Sequence, residues 1–356
     1  SKPDARVLDA TGKFAMPGLI DLHAHLYRPG LLPGFLYFGV TTVRDQGASM
    51  APLVAYANAF AAGVLPGPRV GYGGFQFYSD WSFDEEQGRG IEPEADPNHI
   101  ARSVALAQAF GAQHIKTRTS RRWDINARMI NEAHRLGMRA TGHCSFQLPL
   151  LAAGMDAKDH TGLCRERGNT HIYDDLVQVF HNAGIGVIPT IIYLDFAARV
   201  NERPALLQED KEIDPFLPER ESFDWMVKLT PQERKSWSHD AQLWRQAVAR
   251  LSRAGVTIGT GTDIWQIPTG VHMEMEELVS AGLTPLQAIR AATGDAARIL
   301  GADRDLGSID VGKWADVLLL DADPSVEIRN SRRIWHVIHY GRLIDRPAIL
   351  KSMRPR

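Results

Sequence analysis

Apolar, β-rich runs alternate with helix-patterned segments through most of this 356-residue chain. That alternation restricts it to a parallel α/β architecture with helices covering the sheet. The runs that read as strands are Leu19–His25, Val40–Asp45, Arg69–Phe75, His114–Thr119, Met138–His143, Asp156–His160, Gly186–Ile192 and Val256–Asp263. Eight strand–helix steps predict a (β/α)8 barrel, the TIM-barrel architecture, rather than an open sheet, and the roughly 250 residues such a barrel needs fit within the chain. The intervening helices carry start and stop signals. Asp96-Pro97 precedes Ile100, Val104 and Ala107, with Gly111 as the stop. Asp124 precedes Ile125, Met129, Ala133 and Leu136, closed by Gly137, and Thr284-Pro285-Leu286-Gln287 combines a capping box with a proline in the first turn.

Two stretches break the rhythm. Gly73–Pro97 reads as a long loop holding Phe75, Phe77, Tyr78, Trp81 and Phe83, and Leu194–His239 as a longer, charged, proline-punctuated one. Both follow strands, so both are expected at the barrel face where sites form. Residues 306–320 read as a turn and a buried strand, and Ile334–Ile338 with Arg342–Ile344 as a hairpin. The expected organisation is an N-terminal remnant of a small β-sandwich over 1–16 with one strand at Val7–Asp9, a barrel over 17–305, and the rest of the sandwich with a tail over 306–356.

The formal net charge of −2 gives no basic field for nucleic acid. No apolar stretch reaches the length of a membrane span. The cysteines, Cys144 and Cys164, are too few for a disulfide scaffold and are expected to be buried thiols. A homo-oligomer, as a dimer or larger ring, and either a cytoplasmic or an exported location are compatible with this composition.

The polar residues at the predicted strand ends carry the chemistry. In Asp-Leu-His-Ala-His, His23 and His25 are two apart, so one strand directs both imidazoles to one side. Imidazole is a good ligand for zinc and similar ions. Lys116 lies near the end of strand four, His143 and His160 end strands five and six, and Asp263 ends strand eight. In a barrel these converge at the C-terminal mouth. His99, His114, His134, His171, His181, His239, His336 and His339 lack such placement and are expected not to be ligands. His272 is assigned a structural role at a helix start.

In this order the motifs resemble the amidohydrolase superfamily, in its binuclear-metal, prolidase- and imidazolonepropionase-like branch. The resemblance runs from about Ala10 to Asp345 and includes Leu278–Thr293 and the closing Gly307–Val317. It implies a hydrolase in which His23, His25 and Asp263 hold one divalent ion and His143 and His160 a second. Lys116 bridges the two as a carbamate formed with carbon dioxide. Carbamylation turns an ammonium, which cannot ligate, into an anionic oxygen ligand. Zinc is the expected metal, with manganese, cobalt or iron as alternatives. The implied nucleophile is a metal-bridged hydroxide, with Asp263 as general base. Phe146 stands where related mononuclear deaminases carry a glutamate, which argues for amide hydrolysis over base deamination.

On the substrate side, Arg118, Arg121 and Arg122 follow strand four, and Arg165 and Arg167 follow strand six. Arg118 and Arg165 are the expected carboxylate-binding residues. Tyr193 is the expected donor to a carbonyl oxygen. Trp265 and the aromatic loop suggest an apolar side pocket. Together they point to an N-acyl amino acid or a dipeptide. Two readings compete with this one: a lactone, ester or organophosphate hydrolase on the same ions, and a catalytically silent barrel acting as a binding protein. The sequence also departs from the family: its small sandwich usually draws strands from both ends, and only Ser1–Met16 precede the barrel here. A processed or cut form is therefore expected. The loop after strand three lacks the histidine that many relatives place there.

Overall fold

The computed structural model describes residues 7–26, 28–47, 55–56, 58–60, 65–73, 76–77, 97–117, 123–143, 151–160, 172–203, 216, 224–263 and 267–353. Strand β1 (Phe14–Pro17) belongs to a small antiparallel sheet and leads into the barrel strands: β2 (Leu19–Ala24), β3 (Val40–Asp45), β4 (Arg69–Gly71), β5 (Gln76–Phe77), β6 (His114–Thr117), β7 (Arg139–Gly142), β8 (Ala157–Asp159) and β9 (Gly186–Ile188). All neighbouring pairs within β2–β4 and within β5–β9 are parallel. Gln113 N donates to Tyr72 O at 2.9 Å, carrying the third strand across to β6. On the far side, residues 256–263 lie between β9 and β2. Val187 and Ile258 form a parallel bridge, and Leu22 N and Thr262 N bond Thr260 O and His23 O at 2.9 and 3.1 Å. The fold is a (β/α)8 barrel joined to an antiparallel sheet built from both ends of the chain.

Helices cover the barrel because their apolar faces have nowhere else to go. In Trp123–Arg135, Ile125, Met129, Ile130 and Ala133 are buried and share a core with Ile115 of β6 and Ala140 of β7. Fully burying each large aliphatic side chain is worth about 1.5–3 kcal/mol. A second apolar cluster joins Ile20 and Leu22 of β2, Ala157 of β8 and Ile188 of β9 to Ala296, Ala297 and Ile299 of the helix Gly294–Leu300.

The antiparallel sheet runs β1, β10 (Val317–Leu320), β11 (Ile334–His339), β12 (Arg342–Leu343). Phe14 faces Leu320 and Pro17 faces Val317. Asp316 fastens this sheet to the barrel, accepting from Arg69 of β4 at 3.1 Å and pairing with His339 at 2.8 Å.

Several expectations are corrected. The N-terminal strand is Phe14–Pro17, not Val7–Asp9. There, Asp9 accepts from the backbone and hydroxyl of Thr11 at 2.9 and 2.7 Å, and that local turn competes with a strand. The third strand divides, and β5 falls inside the stretch read as loop, pairing with Lys116 and Thr117. Strand seven stops at Ile188, because Thr190 adopts φ 52 and the following isoleucines begin a helix, Ile191–Glu202. The stretch Leu194–His239 is thus not one loop. A long helix, Pro231–Arg253, starts within it on the capping box of Thr230 and Glu233. Residues 256–263 hold strand eight's place with a single bridge rather than a regular ladder. The capping box at Thr284 stands as read. Cys144, Phe146, Cys164, His171, Arg118, Arg121, Arg122, Arg165, Arg167, Trp265 and the aromatic side chains at 75–83 lie outside the described residues. No helix among the described residues is long and apolar enough to cross a membrane.

Candidate metal centre

The chain bends sharply at three strand ends, and these bends build the site. His160, Thr190 and Asp263 all sit at positive φ (64, 52 and 50°) without being glycine; among the described residues only Tyr340 shares this. Such backbone costs about 1–3 kcal/mol per residue and persists only where the surroundings fix it. Here His160 N donates to Ile188 O and Asp263 N to His23 O, each at 2.7 Å. Strand eight approaches β2 closely through Gly261. A Cβ there would lie 2.4 Å from Ile188 Cγ2 and 2.7 Å from the His23 Cβ, so only glycine fits.

Six side chains meet at this mouth. His23 Nε2 lies 3.0 Å from Lys116 Nζ and 3.4 Å from Asp263 Oδ1, and His25 Nε2 is 3.0 Å from the same oxygen. His143 Nε2 and His160 Nε2 face each other at 2.7 Å. The potential ligand atoms form two groups, His23–His25–Asp263 and His23–His143–His160, each with all atoms within 4.8 Å of one another. His23 is common to both. His23 and Lys116 are buried, while His25, His160 and Asp263 keep about 15% of their side chains open to the mouth (16, 14 and 15%).

The electrostatics suit a cation. Burial takes the His25 imidazole down to about 4 and that of His160 to about 3, against the opposing pull of Asp263. Both are therefore neutral, the form that ligates. Burial alone would raise the Asp263 carboxyl, but His23 and His25 hold it well below the usual carboxylate range. Two facing imidazole nitrogens, two further imidazoles and a carboxylate are a donor set that fits a divalent ion.

Beneath the mouth lies a support that the sequence reading did not single out. Asp159 is fully buried, with Oδ1 3.2 Å from His23 Nδ1, which leaves Nε2 to point at the mouth. Arg44, also buried, reaches the same oxygen at 3.4 Å and donates through Nε to Leu22 O at 2.7 Å. Burial opposes ionisation of Asp159, but His23, Lys116 and Arg44 outweigh it and keep its carboxyl well below the usual range. Asp21 accepts from His23 N, Thr262 N and Thr262 Oγ1 at 3.0, 3.2 and 2.9 Å, clipping β2 to strand eight. The hint was available: Val40–Asp45 reads as a buried strand yet ends Arg-Asp, and Asp159 directly precedes His160.

Other predicted positions resolve as follows. His272 is buried in the helix Gly270–Ser280, between Ser331 Oγ at 2.9 Å and Phe38 O at 2.8 Å. His114 points to Asp45 O at 3.1 Å, and His134 pairs with Asp156 at 2.9 Å. Tyr193 lies in the first turn of Ile191–Glu202, its ring 5.6 Å from Trp237. On the helix Pro231–Arg253, which also carries Trp237, Trp244 lies 5.9 Å from the His160 ring.

The Amidohydrolase family model matches residues 14–344, nearly the whole chain. The chain belongs to the amidohydrolase family. It is accordingly an enzyme, a hydrolase acting on carbon–nitrogen bonds. Among curated proteins it is 20% identical to an imidazolonepropionase of Geobacillus sp. (strain WCH70) over 95% of this chain and 80% of that one. Among solved structures, a Xaa-Pro dipeptidase with methionine in its active site superimposes with a TM-score of 0.75 at 21% identity, covering 97% of this chain and 90% of the other. A prolidase complexed with N-methylphosphonate-L-proline gives 0.77 at 21%, with the same coverage. These likenesses establish the barrel.

Proposed function

We propose that this amidohydrolase is a binuclear metal enzyme cleaving an amide or peptide bond in a small substrate with a hydrophobic part and a free carboxylate, such as an N-acyl amino acid or a dipeptide. The observation that carries the reading is the convergence of His23, His25 and Asp263 beside His143 and His160, with Lys116 Nζ 3.0 Å from His23 Nε2. His23, His25 and Asp263 would hold one ion and His143 and His160 the other. Lys116, as its carbamate, would supply an anionic oxygen ligand beside them. Zinc fits this mixed nitrogen and oxygen set. Two divalent ions, when bound, supply water activation and polarise the scissile carbonyl.

The chain's own residues do the rest. Asp263 lies between His25 and His160 at the mouth, and from there its carboxylate is the group to accept the proton of the attacking water and return it to the leaving nitrogen. Tyr193 is the donor to the carbonyl oxygen. Arg118 and Arg165 bind the substrate carboxylate and Trp265 its apolar part. A Xaa-Pro dipeptidase and a prolidase complexed with N-methylphosphonate-L-proline share this fold, which is consistent with a dipeptide-like substrate.

The first test is metal content per chain on protein purified without chelator, followed by turnover of dipeptides, N-acyl amino acids and matching esters. About two ions per chain and chelator-sensitive amide hydrolysis are expected. Absence of bound metal after zinc and bicarbonate are supplied would overturn the reading, and a strong preference for esters would replace it with a lactone or ester hydrolase.

A further inference from the structure

We propose that Thr190 is a positioning residue for His160, and that Glu274 keeps its hydroxyl available for that task by capping the helix in its place. The inference rests on the reading of His160 as a metal ligand.

Thr190 occupies the N-cap of the helix Ile191–Glu202, where a threonine normally turns its hydroxyl to the free N–H groups of the first turn. It does not do so here. Its Oγ1 lies 2.5 Å from His160 Nδ1 instead. The N–H groups are satisfied from elsewhere: Glu274, fully buried on the helix Gly270–Ser280, accepts from Ile191 N at 3.1 Å and Ile192 N at 2.9 Å.

The arrangement has a geometric consequence. A hydroxyl accepting from Nδ1–H fixes the His160 tautomer and ring plane, so the Nε2 lone pair faces His143 and Asp263. Thr190 itself sits at φ 52, a conformation in which β-branched residues are rare. Asparagine or glycine would relieve that backbone but would not place a hydroxyl on His160. The strain is thus tied to the hydrogen bond and not to helix capping. Glu274 lies far from His160 in sequence and touches it through neither atom described. Its effect passes through the helix end that carries Thr190.

The test is cobalt(II) titration of metal-free, full-length protein in bicarbonate, read by visible absorption and elemental analysis, with circular dichroism to verify folding. Wild type is expected to take two ions. Thr190→Val keeps the branched shape but removes the hydroxyl, and should weaken one of the two by about 10–100-fold while changing its absorption spectrum. Thr190→Ser restores the hydroxyl and should restore both affinity and spectrum. Glu274→Ala should weaken the same ion, and in the double variant the loss should not exceed that of Thr190→Val alone. Wild-type affinity and spectrum in a folded Thr190→Val protein would overturn the proposal, as would additive losses in the double variant. Should Thr190→Val not fold, Glu274→Ala alone decides: unchanged binding of both ions overturns it. If His160→Ala binds metal as wild type does, the ligand reading itself has failed, which the Thr190 variants cannot mimic.

Discussion

Strand β2 serves two regions that obey different rules. The side chains of Ile20 and Leu22 lie in an apolar cluster with Ala157, Ile188 and Ile299, all in ordinary backbone conformations. One residue later, His23 and then His25 enter a mouth lined by imidazoles, a lysine and a carboxylate, bounded by three non-glycine residues at positive φ. The cluster gains from burial, about 25 cal/mol per Å² of apolar surface. The mouth works against it, since charged groups there are desolvated and the backbone is bent. The contrast teaches that stability and chemistry are placed on the same strands but in separate layers, so each should be breakable without the other.

The largest effect is expected at Asp263. Asp263→Asn removes the proposed base and should lower kcat/KM by about 10²–10⁴-fold, with the folded state retained in thermal unfolding. A comparable loss of unfolding midpoint instead would mean that the carboxylate is structural. On the other side, Leu22→Ala should cost about 2–5 kcal/mol of stability, measured by denaturant unfolding. Metal content per folded chain should not change; if it falls, the two layers are coupled.

Asp159 sits between the layers. Asp159→Asn keeps the shape but loses the charge that orients the His23 Nδ1 proton, and metal affinity should drop by about 10–100-fold in a competition assay with a chelator. Unchanged affinity would confine Asp159 to pairing with Arg44. The last test concerns pH. Burial pushes the Glu274 carboxyl up from its ordinary 4.5 to about 8, against the two N–H groups it accepts. The unfolded chain releases this proton first, so stability associated with Glu274 is complete below about pH 4.5, declines as pH rises to about 8 and is level above. Glu274→Gln should flatten that slope in unfolding midpoints measured across the window; an unaltered slope would assign it to other groups.

Much of the barrel was legible because period and punctuation are local. Val40–Asp45 appears as a strand with the bounds read for it, and the capping box at Thr284 closes as expected. The strand ends were less legible. Ile191 and Ile192 extend an apolar β-branched run, and only the turn at Thr190 makes them the start of a helix. Val7–Asp9 looked like a strand until Asp9 folded onto Thr11. The residues expected to bind substrate, Arg118, Arg165 and Trp265, lie outside the described residues.

The sequence by itself determined the strand–helix rhythm, the identity of the polar residues at the strand ends and, through the family resemblance, the kind of chemistry they imply. Those depend on side-chain type and near-neighbour spacing. Tertiary structure decided which partners hold them in place: Asp159 and Arg44 beneath His23, Thr190 on His160, and Glu274 at the helix end beside it. Arg44 and Asp159 are 115 residues apart, and Ile191 and Glu274 are 83 apart. No periodicity encodes such pairs, because a buried polar group takes whatever partner the closed barrel brings within hydrogen-bonding reach.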